Sequence, residues 1–281
     1  MKKYLVLFAV CFFLIDANAQ EKFSFAFFTD LHMNAHEQAK SYEGLEKAIG
    51  VAKKQKVDFV LTGGDNVDVD ALKENQKDKA MSLYQRYQEI IKQSQMKWYL
   101  TIGNHDRYWH SDGEYGSGLF SSFFGKTYYS FEHKGWKFIV LNSTEICDGK
   151  YCISDKQQQW LKEELQKTSK TQPIIIATHV PFLSLYYPVL EGRYTDADTF
   201  VNQKEVRSLF DAHNLKLVLQ GHQHLYEEIK VKGVQYITAG AISANWWGGD
   251  FHGTEEGFLK VNLKGNDFDW EYVDYGWTVN N

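Results

Sequence analysis

Residues 23–32 (Phe-Ser-Phe-Ala-Phe-Phe-Thr-Asp-Leu-His) contain the pattern that decides the fold. The largely aromatic stretch Phe23–Phe28 predicts a buried strand, and Asp30 and His32 follow directly at its end. The same order, an apolar stretch and then carboxylate, amide or imidazole side chains, returns along the chain at Gly64-Asp65-Asn66, Gly103-Asn104-His105-Asp106, His179 and Gly221-His222-Gln223-His224. One such motif would mean little, but five of compatible chemistry at strand ends indicate one shared site.

Outward from this segment, predicted strands alternate with predicted helices, and the last part of the chain is predicted as strands alone. Ile174-Ile175-Ile176 is apolar on successive residues, as in strands buried on both faces. No linker rich in Pro, Gly or Ser divides residues 20–281, which we interpret as one α/β domain. The predicted helices are 37–54, 73–93, 154–167 and 199–213, and the later strands are 57–61, 98–102, 128–133, 136–142, 174–178, 215–219, 227–231, 234–238, 258–263 and 268–273.

The first 19 residues have the pattern of a cleaved signal peptide. Lys2 and Lys3 precede an apolar run, Tyr4–Ile15, and Ala17-Asn18-Ala19 resembles a cleavage site. The run is shorter than the roughly 20 residues that span a bilayer, so a retained anchor is the weaker alternative. With no second long apolar segment, we expect a secreted or periplasmic protein without a stable membrane span.

Charge and cysteine content narrow the function further. Removing residues 1–19 takes away two lysines and one aspartate, so the formal net charge falls from −5 to −6. That balance argues against general nucleic-acid binding, which usually needs a basic face. Cys147 and Cys152 remain as a close pair in an exported chain, which favours a disulfide over two free thiols. Such a short bridge would pin a surface loop and leave the fold to other forces.

The five motifs carry the ligands that two adjacent divalent cations need. Carboxylate and imidazole suit manganese, iron, zinc or cobalt, whereas a soft metal would call for thiolates. Asp30 and His32 are spaced to reach one ion, and Asp65 follows two glycines that let its carboxylate turn inward as a bridge. Asn104 adds a neutral oxygen. His222 and His224 are spaced so that one can serve each ion.

With these motifs the chain resembles the calcineurin-like metallophosphoesterase superfamily over about residues 23–275. The resemblance implies a four-layer α-β-β-α sandwich of two mixed sheets with helices outside. It also implies a ligand set in which Asp30, His32 and His224 hold one ion, with Asp65 shared. The second ion would be bound by Asn104, His179 and His222. The activity implied is hydrolysis of a phosphomonoester or phosphodiester by a hydroxide that the metals generate.

The resemblance also assigns His105 as general acid or transition-state donor, oriented by the adjacent Asp106. In purple acid phosphatases, a branch of the superfamily, glycine takes the place of His32 and tyrosine that of Asp68. We therefore expect no coloured iron–tyrosinate site, and the pattern is more similar to the small phosphodiesterases. Asp68 and Asp70 themselves are interpreted as loop carboxylates and not as ligands.

Several residues around the motifs are candidates for contact with a small phosphorylated substrate. Arg107 and Tyr108 follow His105 directly, and Arg107 could hold a phosphate oxygen or form a surface salt bridge. Trp246, Trp247 and His252 lie in an aromatic, glycine-rich stretch that could form either a stacking wall or a structural lid. Two other functions stay open, namely a non-catalytic metal-binding module and a hydrolase of non-phosphate esters.

Overall fold

A computed structural model of the chain describes residues 21–34, 40–194 and 199–279. The predicted signal peptide lies outside the described residues. None of the helices within those ranges is long and apolar enough to cross a bilayer.

Two large mixed β-sheets are the centre of the structure. The strands are β1 Lys22–Phe28, β2 Phe59–Thr62, β3 Lys97–Tyr99, β4 Tyr129–His133, β5 Trp136–Val140, β6 Glu145–Cys147, β7 Lys150–Cys152, β8 Pro173–Ala177, β9 Asn214–Gln220, β10 Glu227–Val231, β11 Val234–Thr238, β12 Gly257–Lys264 and β13 Asp267–Asp274. Sheet 1 has the order β13-β12-β1-β2-β3, and sheet 2 has the order β10-β11-β9-β8-β5-β4. Strands β6 and β7 form a separate hairpin.

Alternating side chains of the central strands build the core on both sides of each sheet. Phe25 and Phe27 of β1 face sheet 2 and pack with Phe138 and Leu217, whereas Phe28 of the same strand faces the helices outside sheet 1. Helices cover both outer faces, as expected for an α-β-β-α sandwich. The helices are α1 Ser41–Lys54, α2 Lys77–Gln93, α3 Gly118–Phe124, α4 Asp155–Lys167, α5 Tyr186–Leu190 and α6 Gln203–Ser208.

Most predicted elements are present with ends shifted by a few residues, but the helix predicted over 199–213 is wrong in length. Its helical part is only Gln203–Ser208. After it, Leu209 and Phe210 donate hydrogen bonds to the carbonyls three residues earlier, so the chain continues as tight turns. The strand predicted over 98–102 is also shorter, Lys97–Tyr99.

Parallel pairing brings the predicted motifs to one edge of the molecule. In sheet 1, β1 is parallel to β2 and β2 to β3. In sheet 2, β5, β8 and β9 are parallel in turn. The carboxyl ends of parallel strands meet at the same edge, and the loops after β1, β2, β3, β8 and β9 carry the five motifs.

Candidate metal centre

The backbone at these loops is unusual, because five predicted ligands have left-handed conformations. The φ angles are 51° at Asp30, 47° at His32, 51° at Asp65, 75° at His222 and 57° at His224. Such conformations cost free energy for residues other than glycine and concentrate at functional sites. The loops are fixed by backbone hydrogen bonds, for example from the Asp30 amide to the Gly64 carbonyl at 3.0 Å.

One group of ligand atoms is formed by Asp30, His32 and His224, which all lie within 4.8 Å of one another. The three side chains are buried. His224 Nε2 is 2.9 Å from His32 Nε2 and 3.5 Å from Asp30 Oδ1. The Asp30 carboxylate is fixed by the Thr29 hydroxyl at 2.6 Å and by the His222 backbone N–H at 3.0 Å.

A second group is formed by Asp65, His179 and His222, again within 4.8 Å of one another. His179 Nε2 is 3.2 Å from Asp65 Oδ2 and 2.9 Å from Asn104 Oδ1. Asp65 Oδ2 also lies 3.8 Å from His32 Nε2 of the first group. The structure therefore brings all seven predicted ligands together, with Asp65 between the two groups. These seven side chains form the cage.

The hydrogen bonds of these imidazoles are those that cation binding requires. A carbonyl oxygen only accepts, so the bonds from Nδ1 of His179 to Gly63 and from Nδ1 of His224 to Ala244 fix a proton on each Nδ1. In the neutral imidazole Nε2 then carries a lone pair, which in His179 faces the acceptor oxygens of Asp65 and Asn104. Lone pairs and carboxylates that converge in this way fit a cation, and the donor set fits manganese, iron, zinc or cobalt.

The electrostatics favour positive charge at the same point. Burial lowers the pKa of His179, but the carboxylates of Asp65 and Asp30 outweigh it and raise the pKa to about 9. Burial would raise the pKa of Asp65, but His179, His105 and His32 hold it well below its usual value. His224 is different, because its burial dominates and lowers its pKa to about 4. The neutral form that ligates a metal is therefore favoured at His224.

His105 lies beside the two groups and is about one-third exposed. Its backbone N–H donates to Asp65 Oδ1 at 2.8 Å, and its ring Nδ1 is bonded to Asp70 Oδ1 at 2.9 Å. One ligand atom of its ring also lies within 4.8 Å of those of His32 and Asp65. Burial lowers the pKa of His105, but Asp65, Asp70 and Asp68 raise it to about 10, so a proton is retained.

The prediction that Asp106 orients His105 is wrong, because the Asp106 carboxylate has other partners. Its buried carboxylate accepts hydrogen bonds from the backbone N–H groups of Asn66, Val67 and Gly103 at 2.8–2.9 Å and from the Asn66 amide. These bonds tie the loop after β2 to the loop after β3. Asp70, and not Asp106, holds the His105 ring.

Asp68 and Asp70 are the site residues that sequence reasoning missed. Asp68 Oδ1 is 2.7 Å from Nδ1 of His32, so it orients a predicted metal ligand from outside the cage. The available signal was the run Asp65, Asp68 and Asp70, three carboxylates in six residues after a glycine pair. Because aspartates are common in loops, this run alone does not distinguish residues that orient a ligand from ordinary loop carboxylates.

Glycines beside the ligands leave room for the cage. A Cβ on Gly103 would lie 2.1 Å from both the backbone nitrogen and Oδ1 of Asp65. Gly64 has φ of 96°, and a Cβ there would lie 2.5 Å from Nδ1 of His179. Any larger residue at either position would have to displace a predicted ligand.

Comparison with known proteins gives the family. A calcineurin-like phosphoesterase profile matches residues 23–226. The chain belongs to the calcineurin-like phosphoesterase family. It is 29% identical over 230 residues, 78% of each protein, to a 3′,5′-cyclic-nucleotide phosphodiesterase of a Nostoc species.

Solved structures of low sequence identity support the fold alone. The yellow lupin purple acid phosphatase PPD1 has a TM-score of 0.65 at 15% identity, covering 91% of this chain and 52% of that chain. GAP50, described as the anchor in the inner membrane complex of Plasmodium, has a TM-score of 0.61 at 17% identity, covering 90% and 85%.

Three predicted substrate contacts of this calcineurin-like phosphoesterase are buried in the scaffold. The Arg107 guanidinium bonds Thr144 Oγ1, Asn142 Oδ1 and the Tyr115 carbonyl, so neither predicted role of Arg107 fits. The Tyr108 hydroxyl donates to the Lys73 and Glu74 carbonyls. The Trp247 indole N–H lies 3.1 Å from the Leu31 carbonyl and 3.2 Å from that of His32. These side chains support the site and do not line it.

Trp246 and His252 lie at the surface beside the cage. The Trp246 ring is 45% exposed and stacks on His224 with centroids 4.2 Å apart. Phe251 stands perpendicular to Trp246 at 6.0 Å, and the Tyr186 hydroxyl is 3.0 Å from Nε2 of His252. Trp246, Phe251, His252 and Tyr186 thus form a continuous aromatic wall next to His224.

Proposed function

We propose that this protein is a binuclear metal-dependent phosphoesterase that is exported from the cytoplasm and hydrolyses a small phosphomonoester or phosphodiester. The observation that carries the proposal is the convergence of two ligand groups that share Asp65, with the His105 ring beside them and bonded to Asp70. A binding module would have use for the metal ligands but not for a proton donor. The leader-like pattern of residues 1–19 supports export.

Each of the two ligand groups would bind one ion. Asp30, His32 and His224 would hold one ion, and His179, Asn104 and His222 the other, with Asp65 between them. When bound, two such ions act as Lewis acids on phosphoryl oxygens and lower the pKa of a water molecule to near neutrality. The carboxylates and neutral imidazoles set the total charge of the site.

His105 would donate a proton to the leaving group of the phosphoester. Asp70 fixes its Nδ1, so Nε2 is the nitrogen left to face the substrate. In a phosphoester the leaving oxygen gains negative charge as its bond to phosphorus breaks, and a positioned imidazolium can donate to that oxygen. The neighbouring carboxylates, Asp70 among them, raise the pKa of His105 and so favour the protonated ring.

The substrate class follows from the relatives and the aromatic wall. The Nostoc relative is named as a cyclic-nucleotide phosphodiesterase, so a phosphodiester is the first class to test. Trp246 and His252 are proposed substrate contacts, because the exposed face of Trp246 lies next to the ligand His224. A non-catalytic module is the second candidate, since GAP50 has this fold and is described as an anchor.

The experiment compares metal-stripped protein with protein reconstituted with manganese, iron, zinc or cobalt. Substrates are an aryl phosphate, a bis-aryl phosphodiester and an aryl carboxylic ester. We expect hydrolysis of a phosphoester that follows metal content measured by elemental analysis. His179→Ala should lose both metal and activity, whereas His213→Ala, whose ring lies beside Lys170 away from the cage, should lose neither.

Other results would reject the proposal in different ways. Full metal binding without phosphoester hydrolysis would favour the non-catalytic module. Preference for the carboxylic ester would favour a hydrolase of non-phosphate esters. Failure to bind metal would reject the phosphoesterase, the ester hydrolase and the metal-binding module alike.

A further inference from the structure

The hairpin β6–β7 is joined to the site at its base and is closed by the Cys147–Cys152 disulfide. Thr144, directly before β6, accepts a hydrogen bond from Arg107, which follows the His105 motif. The Tyr151 carbonyl accepts from the Val201 backbone N–H at 2.8 Å. The hairpin is therefore held from both sides of the molecule, although it belongs to neither large sheet.

Tyr151 is the hairpin residue that reaches the metal centre. Its ring stands edge-on to the ring of His222, with centroids 6.0 Å apart and an interplanar angle of 83°. In the strand Lys150–Cys152 successive side chains point to opposite faces, so Tyr151 points away from the buried Cys152. The disulfide closes a loop of residues 147–152, and Tyr151 is one of the residues of that loop.

The charges that act on the Tyr151 hydroxyl include two carboxylates of the candidate site. Burial raises its pKa, Asp65 and Asp70 raise it further, and Arg107 lowers it. The hydroxyl is thus within electrostatic range of the shared ligand Asp65 and of the carboxylate that holds His105. Among the described residues it has no hydrogen-bond acceptor, and it is not sealed from solvent.

We infer that Tyr151 is a substrate-contacting residue, whose hydroxyl donates a hydrogen bond to an oxygen of the phosphoester, and that the disulfide holds it in position. The inference rests on the proposed function. A phenol O–H without a protein acceptor is available to an anionic ligand, and a hydrogen bond to a charged oxygen is stronger than one to a neutral oxygen. The disulfide then contributes to the shape of the site and not only to the stability of a surface loop.

The first test is Tyr151→Phe, which removes the hydroxyl and keeps the ring against His222. We expect KM for a phosphoester and the inhibition constant of inorganic phosphate to rise about 10-fold, with kcat changed less than KM. The matched control is Tyr99→Phe, because Tyr99 stacks on Phe131 between the sheet edges. A purely structural role for Tyr151 would leave both constants unchanged, since the ring remains.

The second test links the hydroxyl to the disulfide by a double-mutant cycle. Cys147→Ser with Cys152→Ser is introduced into the wild type and into Tyr151→Phe. Serine variants are used because thiol reductants bind metals. We expect the paired serines to lower kcat/KM about 5-fold in the wild type and to have almost no effect in Tyr151→Phe.

The outcomes separate the two proposals. If the metal-loaded wild type hydrolyses no phosphoester, the proposed function fails. If it is active and Tyr151→Phe has wild-type KM and phosphate inhibition, the contact by Tyr151 is refuted. Equal losses from the serine pair in both backgrounds would refute the role of the disulfide alone, and thermal melting verifies that every variant is folded.

Discussion

Two aspartate–histidine pairs in this protein have the same geometry and different surroundings. Asp68 holds His32 at 2.7 Å, and Asp70 holds His105 at 2.9 Å, each through Nδ1. The His32 side chain is fully buried between ligand groups, whereas that of His105 is 32% exposed. The same contact thus fixes a predicted metal ligand in one pair and the proposed proton donor in the other.

Because the partner is the same and the exposure differs, we expect burial to decide what each anchored imidazole does. A buried imidazole among carboxylates can share its Nε2 lone pair with a cation. An imidazole at the rim can exchange its proton with a bound substrate. Both aspartates come from one segment after β2, which also carries Asp65, so a single loop orients both functions.

His105→Ala removes the imidazole of the exposed pair and should have the largest effect. We expect kcat to fall by about 10²- to 10⁴-fold while the metal content stays at two ions, because general acid catalysis contributes that much. Metal analysis and steady-state kinetics are measured on the same sample. The control is His110→Ala, an exposed residue of the same loop. Loss of metal from His105→Ala would make His105 a ligand and remove the distinction between the pairs.

Asp68→Asn tests the buried pair. The amide cannot fix the His32 tautomer as a carboxylate does, so we expect metal affinity to fall about 10- to 100-fold. Affinity is measured by competition with a chelator of known strength. Activity at saturating metal should recover most of its wild-type value. Asp78→Asn, on the exposed first turn of α2, is the matched control.

Asp70→Asn tests the exposed pair and should give the opposite pattern. We expect kcat to fall about 10-fold at full metal occupancy, because a misoriented donor costs part of the acid catalysis. Chelator competition should give wild-type metal affinity. If Asp70→Asn and Asp68→Asn behave alike in both measurements, the two pairs are not functionally distinct.

A carboxylate partner far from the cage gives the smallest effect. Glu164 of α4 accepts hydrogen bonds from Lys137 at 2.6 Å and Ser130 at 2.9 Å. Burial raises its pKa, but these partners outweigh it and lower the pKa below 4.5. A lowered carboxyl pKa stabilises the fold above the unfolded value, and the contribution is lost as pH falls through the folded value.

Glu164→Gln should therefore lower the free energy of unfolding by about 1 kcal/mol at pH 7. Denaturant unfolding at several pH values should find the difference from wild type shrinking below about pH 4. Glu163→Gln, the exposed neighbour, should show no such trend. A difference that stays constant with pH would mean that the Glu164 charge is not responsible.

The sequence predicted the parts of the site that depend on chain position. Ligands at strand ends are predictable because parallel strands deliver their carboxyl ends to one edge, which is why Asp30 and His179 come together. The direction of a loop side chain is not predictable in this way. Asp70 and Asp106 lie 36 residues apart, in the loops after β2 and β3. Only the folded backbone determines which of the two carboxylates meets His105.

For the same reason, proximity to a motif in the sequence does not predict contact with the substrate. Arg107 and Tyr108 follow His105 directly, yet the chain turns and buries both. Tyr151 lies 46 residues after His105 in a separate hairpin, so no local pattern points to it. His32 and Asp68, the two departures from the purple acid phosphatase pattern, contact each other, a pairing that spacing alone does not reveal.

The Trp247 ring has one further consequence, for the packing of α1 against the site. It occupies the space that Gly44 leaves open in α1, where an added Cβ would lie 2.0 Å from the indole. Trp247 therefore packs the segment that carries Trp246 tightly against α1. Because no space remains between Gly44 and the indole, Gly44→Ala would displace Trp247, and with it the adjacent Trp246 that stacks on His224.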